Sequence, residues 1–342
     1  MERVSISPQT VRETLEKIKD LRVCVLGDIS LDLYWVADMT RSRLSRETPH
    51  HPLPVVREYG SLGGGGNVIA NIAALCVQKI VPVSVIGEDW RGSVLSKELE
   101  AVNVSKDFIF TCGERVTPAY CKPVRSGISP VRYEDPRIDF ENREPLPPEY
   151  VKRIIDALYS AAGECDAIAV CDQLEYGIVS HEVRQALSEL GRRGKRVIVD
   201  SRDRVRHFTD VIVKPNEVEA AAALGLDTPN GDAALRVYGE MALALALKTG
   251  CPAVVTIGER GSLWAEDGAV RLAPALKVPG PFDFVGAGDT FLSGFACALG
   301  AGLSGPDALS FANIAASVTI QKLGTTGVAT PAEMIRQSEA FA

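Results

Sequence analysis

The chain has 342 residues, 46% hydrophobic and 24% charged, enough to bury a large core as an ordinary soluble globular protein. A formal net charge of −7 and an isoelectric point near 5.3 exclude an extended nucleic-acid-binding surface, which needs a basic footprint. Eight cysteines without a C-x-x-C pair, a start with no hydrophobic signal core and no apolar run of about 18 residues predict a cytoplasmic protein without disulfides or a membrane span.

Taken in chain order, Val11–Asp20 has helical spacing and Val23–Leu26 reads as a short buried strand ending at Gly27-Asp28. Ile29–Tyr59, with Pro49, Pro52 and Pro54, reads as irregular. Gly63–Gly66 opens an apolar helix, Asn67–Leu75, and strand Val81–Ile86 and helix Gly92–Val102 follow. The alternation breaks at about Asp107–Asn142. There Phe108–Thr111, Ala119–Val124 and Val131–Glu134 look like strands with no helix between them, which predicts a small β lid. It resumes with helix 149–161, strand Ala167–Cys171, helix 180–191, strands Arg196–Val199 and Val211–Val213, and a helix from Glu217. A helix at 232–248, strand Ala253–Ile257, helices at 289–300 and 307–321 and a short one after Pro331 complete the chain. The expected fold is α/β, a doubly wound, mostly parallel sheet with a β-sheet lid, the whole of 1–342 forming one domain and parts of 29–60 and 107–142 the lid.

Ligands of open α/β sheets bind at the carboxyl ends of the strands, so residues just after each strand are the candidates. Ser30 and Asp32 follow the first strand, and Gly63, Gly64 and Asn67 lie where the next helix begins. Glu175 follows Ala167–Cys171. Asn216 and Glu219 follow Val211–Val213 three apart, a spacing that suits either water-mediated magnesium binding or a helix capping box. Thr256, Gly258 and Gly261 follow Ala253–Ile257. Gly286, Ala287 and Gly288 leave the amides of a helix start open to an anion, and Asp289 adds a carboxylate at the same spot. That pairing suits phosphoryl transfer to a hydroxyl, with Asp289 as base; a glycine turn capped by Asp289 is the alternative. A dinucleotide-binding G-x-G-x-x-G, a Walker A lysine, a G-x-S-x-G elbow and a histidine metal cluster are all missing.

Together these segments resemble the ribokinase (PfkB) family of carbohydrate kinases over roughly Leu21–Thr330. Asp283 with Gly286–Asp289 is similar to the family's D-x-x-G-A-G-D signature, Gly63–Asn67 and Gly87–Gly92 approximate its first signature, and Asn216–Glu219 is its N-x-x-E. The resemblance implies a Rossmann-like core and an ATP-dependent kinase with magnesium as cofactor and a family site for potassium. It implies Asp289 as catalytic base and Gly286, Ala287 and Gly288 as the anion hole. Asp32, Gly63, Gly64, Asn67 and Glu175 would be sugar contacts, and Asn216 and Glu219 the magnesium and phosphate pair. Thr256, Gly258, Gly261 and Asn313 would line the nucleotide, and Asp283 with the Val285 carbonyl would hold potassium. A homodimer formed through the lid is also implied.

Gly27–Trp35, Lys322–Thr325 and Arg137–Glu141 are similar to the heptose 7-phosphate kinase branch, often fused in bacteria to a nucleotidyltransferase that is not expected in this chain. Phe284 departs from the usual Thr or Ser, Cys76 from a common glycine, and Arg41–Pro54 is longer than that branch leads one to expect. A phosphosugar needs arginine or lysine forks, and Arg41, Arg43, Arg46, Lys122, Arg125 and Arg132 are the candidates expected to converge on it. The runner-up is a kinase for an unphosphorylated sugar, sugar acid or nucleoside, and a catalytically silent sugar- or nucleotide-sensing protein is the rival from another class.

Overall fold

A computed structural model describes all residues except 103, 231–233, 325 and 342. The opening positions of the helix expected at 232–248, and Thr325 of the Lys322–Thr325 segment, lie outside the described residues. In chain order the elements are β1 (Glu2–Arg3), α1 (Pro8–Ile18), β2 (Arg22–Gly27), β3 (Ile29–Asp38), β4 (Val55–Gly64), α2 (Gly65–Ala74), β5 (Lys79–Gly87) and α3 (Trp90–Ala101). Then come β6 (Ile109–Cys112), β7 (Ala119–Ser126), β8 (Tyr133–Glu134), β9 (Ile138–Phe140), α4 (Pro148–Glu164), β10 (Ala167–Asp172), α5 (His181–Arg192), β11 (Val197–Ser201) and β12 (Ile212–Val213). The last are α6 (Glu217–Leu224), α7 (Leu235–Thr249), β13 (Ala253–Thr256), β14 (Ser262–Glu266), β15 (Ala269–Ala273), α8 (Ala287–Gly300), α9 (Gly305–Thr319) and α10 (Pro331–Ala340).

Ten strands form one sheet in the order β1-β15-β14-β13-β12-β11-β10-β2-β5-β6, parallel except at β14, which runs antiparallel to both neighbours. Both faces are covered, so successive residues of a central strand enter different cores. Val23 and Val25 of β2 join the core shared with α1, α2, α8, α9 and α10, while Cys24 and Leu26 join the one under α4 to α7. This explains why the strand reads as an unbroken apolar run. The buried cysteines behave here as small core side chains.

A second sheet, β4-β3-β7-β8 with β9 also paired to β7, forms the lid. It corrects two expectations. Ile29–Tyr59 is not irregular: it contains β3 and the first half of β4, two ten-residue strands paired antiparallel from Ile29↔Gly64 to Ala37↔Val55. The alternation of Ile29, Leu31 and Leu33 with Ser30 and Asp32 stops at the continuous run Tyr34–Ala37, which breaks the period-two signal of the strand. The prolines belong to the connection between the strands. The strand expected at Phe108–Thr111 is β6, and it pairs in parallel with β5 at the edge of the main sheet, outside the lid. Gly63 and Gly64 likewise end β4 rather than open the helix, which starts at Gly65.

Helix α8 is the hydrophobic centre. Phe291, Leu292, Phe295, Ala296 and Cys297 are buried, and Phe295 packs its ring 6.0 Å from Phe291 and 5.9 Å from Trp264 of β14. Phe295→Ala should therefore cost about 3–5 kcal/mol in denaturant unfolding. A loss below about 1 kcal/mol would show that this helix is not the packing centre.

Candidate active site

The carboxyl ends of β13, β12, β11, β10 and β2 lie side by side and open onto one cavity of about 470 Å³. The side chains follow the strand order. Thr256, Gly258 and Gly261 come after β13, Asn216 and Glu219 after β12, Asp200 and Arg202 at the end of β11, Gln173 and Leu174 after β10, and Asp28 and Ser30 after β2. Helix α8 points its first turn into the same space, so that Gly286, Ala287, Gly288 and Asp289 line it.

The helix start is built as an anion cradle. Gly286 has φ +79°, and a Cβ there would stand 2.7 Å from the Asn67 amide nitrogen, so both its conformation and its neighbour demand glycine. A Cβ at Gly288 would meet only open space, which leaves room for a ligand above the helix N-terminus. Asp289 is half-buried, and Asn67 Nδ2 donates to its Oδ2 at 2.7 Å. Asn67 is held in turn by Asn71 one turn along α2, and the other end of Asn71 accepts from Thr290 Oγ1 at 2.9 Å. Helices α2 and α8 are thus tied together at the Asp289 carboxylate.

Loss of water pushes Asp289 up to about 7; the Asn67 hydrogen bond opposes this, Asp200 adds to it, and Lys214 opposes it. Lys214, 3% exposed, donates to Asp200 at 3.0 Å. Glu219 is also pushed up to about 7, by burial first and Asp200 second, with Lys214 opposing. The structure contains the capping box: Asn216 Oδ1 accepts from the Val218 and Glu219 amides, and Glu219 Oε2 from the Asn216 amide at 2.9 Å. The same two side chains line the cavity, so the cap and the ligand-facing position coexist.

Of the other expected residues, Gly64 and Asn313 line the cavity as well. Asn313 also pins β15, its Nδ2 donating to Ala273 O at 2.9 Å. Ser30 lines the cavity, and its buried Oγ has no protein partner. Gly63 lies beside it, where a Cβ would come within 2.6 Å of that oxygen. Asp32 is buried in the lid, accepting from Lys122 Nζ at 3.1 Å. Asp283 stands apart from the cavity wall and orders its own loop, accepting from the Val285 and Gly324 amides at 3.0 and 2.9 Å. Glu175 is not in the cleft: it is exposed and borders a different depression, with Arg184 and Arg204. It is carried there by a tight loop whose amides at Gln173, Leu174 and Ile178 all donate to the Asp28 carboxylate.

None of the arginines and lysines expected to converge on a phosphosugar lines the cavity. Arg41 is paired with Asp38, Arg125 with Asp135 and Lys122 with Asp32. Sequence reasoning passed over Asp28, Gln173, Asp200, Arg202 and Tyr120 as cavity residues, and Asn71 as a link. Asp200 and Arg202 obey the strand-end rule at β11, a strand to which it was not applied.

Comparison with known proteins agrees with this geometry. Residues 180–332 match the sequence profile described as pfkB family carbohydrate kinase. It is 33% identical over 333 residues to the bifunctional protein HldE of Citrifermentans bemidjiense and 32% identical over 332 residues to that of Geobacter metallireducens. Each alignment covers 96% of this chain but 65% of the relative, so the chain spans about two-thirds of those proteins at most. The fold is also that of Arabidopsis thaliana ribokinase complexed with ribose and ATP, at a TM-score of 0.69 and 19% identity, covering 94% of this chain and 99% of that one. Escherichia coli phosphofructokinase-2 in complex with fructose-6-phosphate gives a TM-score of 0.70 at 19% identity, with the same two coverages.

Burial of the Asp289 charge has a stability consequence. Its ordinary carboxylate value of 3.8 is raised to about 7, so the folded chain binds the proton more tightly than the unfolded one. The stabilisation is complete below the unfolded value and is lost as pH rises through about 7. Asp289→Asn, which removes the charge and keeps an acceptor for Asn67, should raise the melting temperature at pH 8 by on the order of 2 °C. The gain should shrink as pH falls below 7. A lower melting temperature at pH 8 would contradict this.

Proposed function

We propose that this protein is an ATP-dependent sugar kinase that phosphorylates a hydroxyl of a phosphosugar of the heptose 7-phosphate type. The observation that carries the reading is the Asp289 carboxylate, held by Asn67 beside the open amides of Gly286–Gly288 in a cleft at the strand ends. The acceptor hydroxyl oxygen attacks the γ-phosphorus in line while Asp289 takes its proton. The bond from that phosphorus to the β-γ bridging oxygen breaks, and ADP leaves. Amides at the α8 N-terminus face the charge spread over the transferring oxygens. Lys214 and Asp200 set the field behind Asp289. Thr256, Gly258, Gly261 and Asn313 are assigned to the nucleotide. Gly64, with Asp32, Gly63 and Asn67 behind it, is assigned to the sugar.

Magnesium fits the donor set. Asn216 and Glu219 offer oxygens to the cavity, as a hard cation requires. Among the described residues no three His, Cys, Asp or Glu side chains form a metal cage, which suits an ion held largely by substrate phosphates and water. When bound it would neutralise phosphate charge. Potassium at Asp283 and the Val285 carbonyl belongs to the same proposal, as does pairing of two copies through the lid, where Val55, Val56, Tyr133 and Ile138 are exposed.

The phosphosugar is favoured over a neutral sugar by the two HldE relatives and by the similarity of Gly27–Trp35 to the heptose branch. Asp289→Asn should lower kcat by ~10²–10⁴-fold with substrate binding retained. The acid limb of kcat/KM in the wild type should fall with a midpoint near 7, because only the ionised carboxylate accepts a proton. Near-normal turnover by the folded variant would remove Asp289 as the base.

Glu219→Gln tests the metal side. The amide still accepts the Asn216 N–H, so the cap survives. The magnesium concentration for half-maximal rate should rise by roughly tenfold, as loss of a supporting carboxylate typically does. An unchanged magnesium dependence would leave Glu219 as a capping residue alone.

A further inference from the structure

The cations around the cleft are nearly all committed. Lys214 is held by Asp200, Lys122 by Asp32 and the Tyr34 hydroxyl, and Arg204 by Asp172 and the Leu174 and Glu175 carbonyls. Arg115 is occupied by the carbonyls of Glu144 and Tyr176. Among the described residues that line the cavity, Arg202 is the cationic side chain with no ion pair. Its backbone is fixed, since its N–H donates to Asp172 O at 3.1 Å and so prolongs the β10–β11 pairing past the strand ends. Its side chain is exposed to the cleft.

Arg202 stands at the boundary between the two halves of the sheet edge. Nucleotide-side residues follow β13 and β12, acceptor-side residues follow β10 and β2, and β11 lies between them with β10 as its acceptor-side neighbour. Tyr120 closes the same cavity from the lid. It stands in register with Asp32, and its hydroxyl donates to Glu141. The transferring phosphoryl group already has the α8 amides, with Lys214 behind them, and Lys214 rather than Arg202 is prominent in the field at Asp289. The field of Arg202 reaches Tyr120 in the lid and Glu219 after β12.

We infer that Arg202 reads the phosphate already carried by the acceptor, clamping it against the Tyr120 side of the lid and holding the acceptor hydroxyl toward Asp289. This deepens the phosphosugar-kinase reading and rests on it. A guanidinium fork matches a terminal phosphate with two parallel N–H donors, and a charge-assisted pair of this kind is stronger than a neutral hydrogen bond. Arg202 is then a specificity residue whose removal is felt only by acceptors that bear the anion.

The test uses the full chain, wild type, Arg202→Gln and Arg202→Lys, with ATP and two acceptors, heptose 7-phosphate and unphosphorylated heptose. Arg202→Gln should raise KM for the phosphosugar by ~10–100-fold, the range of a lost charge-assisted pair. KM for ATP should stay within about twofold, kcat/KM for the neutral heptose should not change, and Arg202→Lys should recover part of the loss. A rise in KM for ATP, or an equal loss with both acceptors, would assign Arg202 to the nucleotide or to the transferred group and overturn the inference. A wild type that shows no preference for the phosphosugar would overturn the substrate reading itself. That failure appears before any variant is compared, so the two are distinguishable.

Discussion

Lys214 brings one buried positive charge to three carboxylates, Asp200, Glu219 and Asp289, and the chemistry of the cleft follows from that imbalance. One lysine cannot hold three acids fully ionised out of water, so two of them are raised to about 7. An acid poised there is a competent base near neutrality, which a surface aspartate is not. The same shortage bears on how a polyphosphate enters. A triphosphate adds negative charge to a region already lacking positive charge, so on the proposed reading it must arrive with its own cation. Nucleotide and metal binding are then one event, coupled through the lysine.

The second constraint is distance. Two helix N-termini, those of α2 and α8, approach closely enough for Asn67 to bond Asp289 and for Asn71 to bond Thr290. That approach requires no side chain at Gly286. The glycines that end β4 serve a related purpose, since Gly63 leaves space for Ser30 Oγ and Asp32 between the lid and the core. Several of the glycines that look like flexible loop in the sequence are thus places of tight contact.

The core was legible in the sequence because its strands are short, apolar and separated by helices, a rhythm that survives at single-residue scale in Val23–Leu26 or Ala253–Thr256. The lid was less so. β3 and β4 lose their alternation where one is buried on both faces and the other ends in glycines, and β6 looks like its lid neighbours although it extends the main sheet. The site divided along similar lines. Gly286–Asp289, Asn216 and Glu219 announce themselves by spacing, whereas Arg202 does so only by its place after β11. Glu175 follows a strand yet points elsewhere, because the Asp28 carboxylate folds its loop back on itself. A strand end locates a loop but does not aim its side chains.

The order of the strands along the sheet edge has an evolutionary consequence. Neighbouring stations of the cleft, after β13, β12, β11, β10 and β2, come from segments as distant in the chain as Thr256 and Ser30. Each station is a separate loop on a rigid edge, so a change in one alters one contact with the ligand and leaves the register of the others intact. On the proposed assignment, acceptor preference can therefore drift at β2, β10 and β11 while the nucleotide end stays fixed, much as a lock can be re-pinned without recutting its barrel.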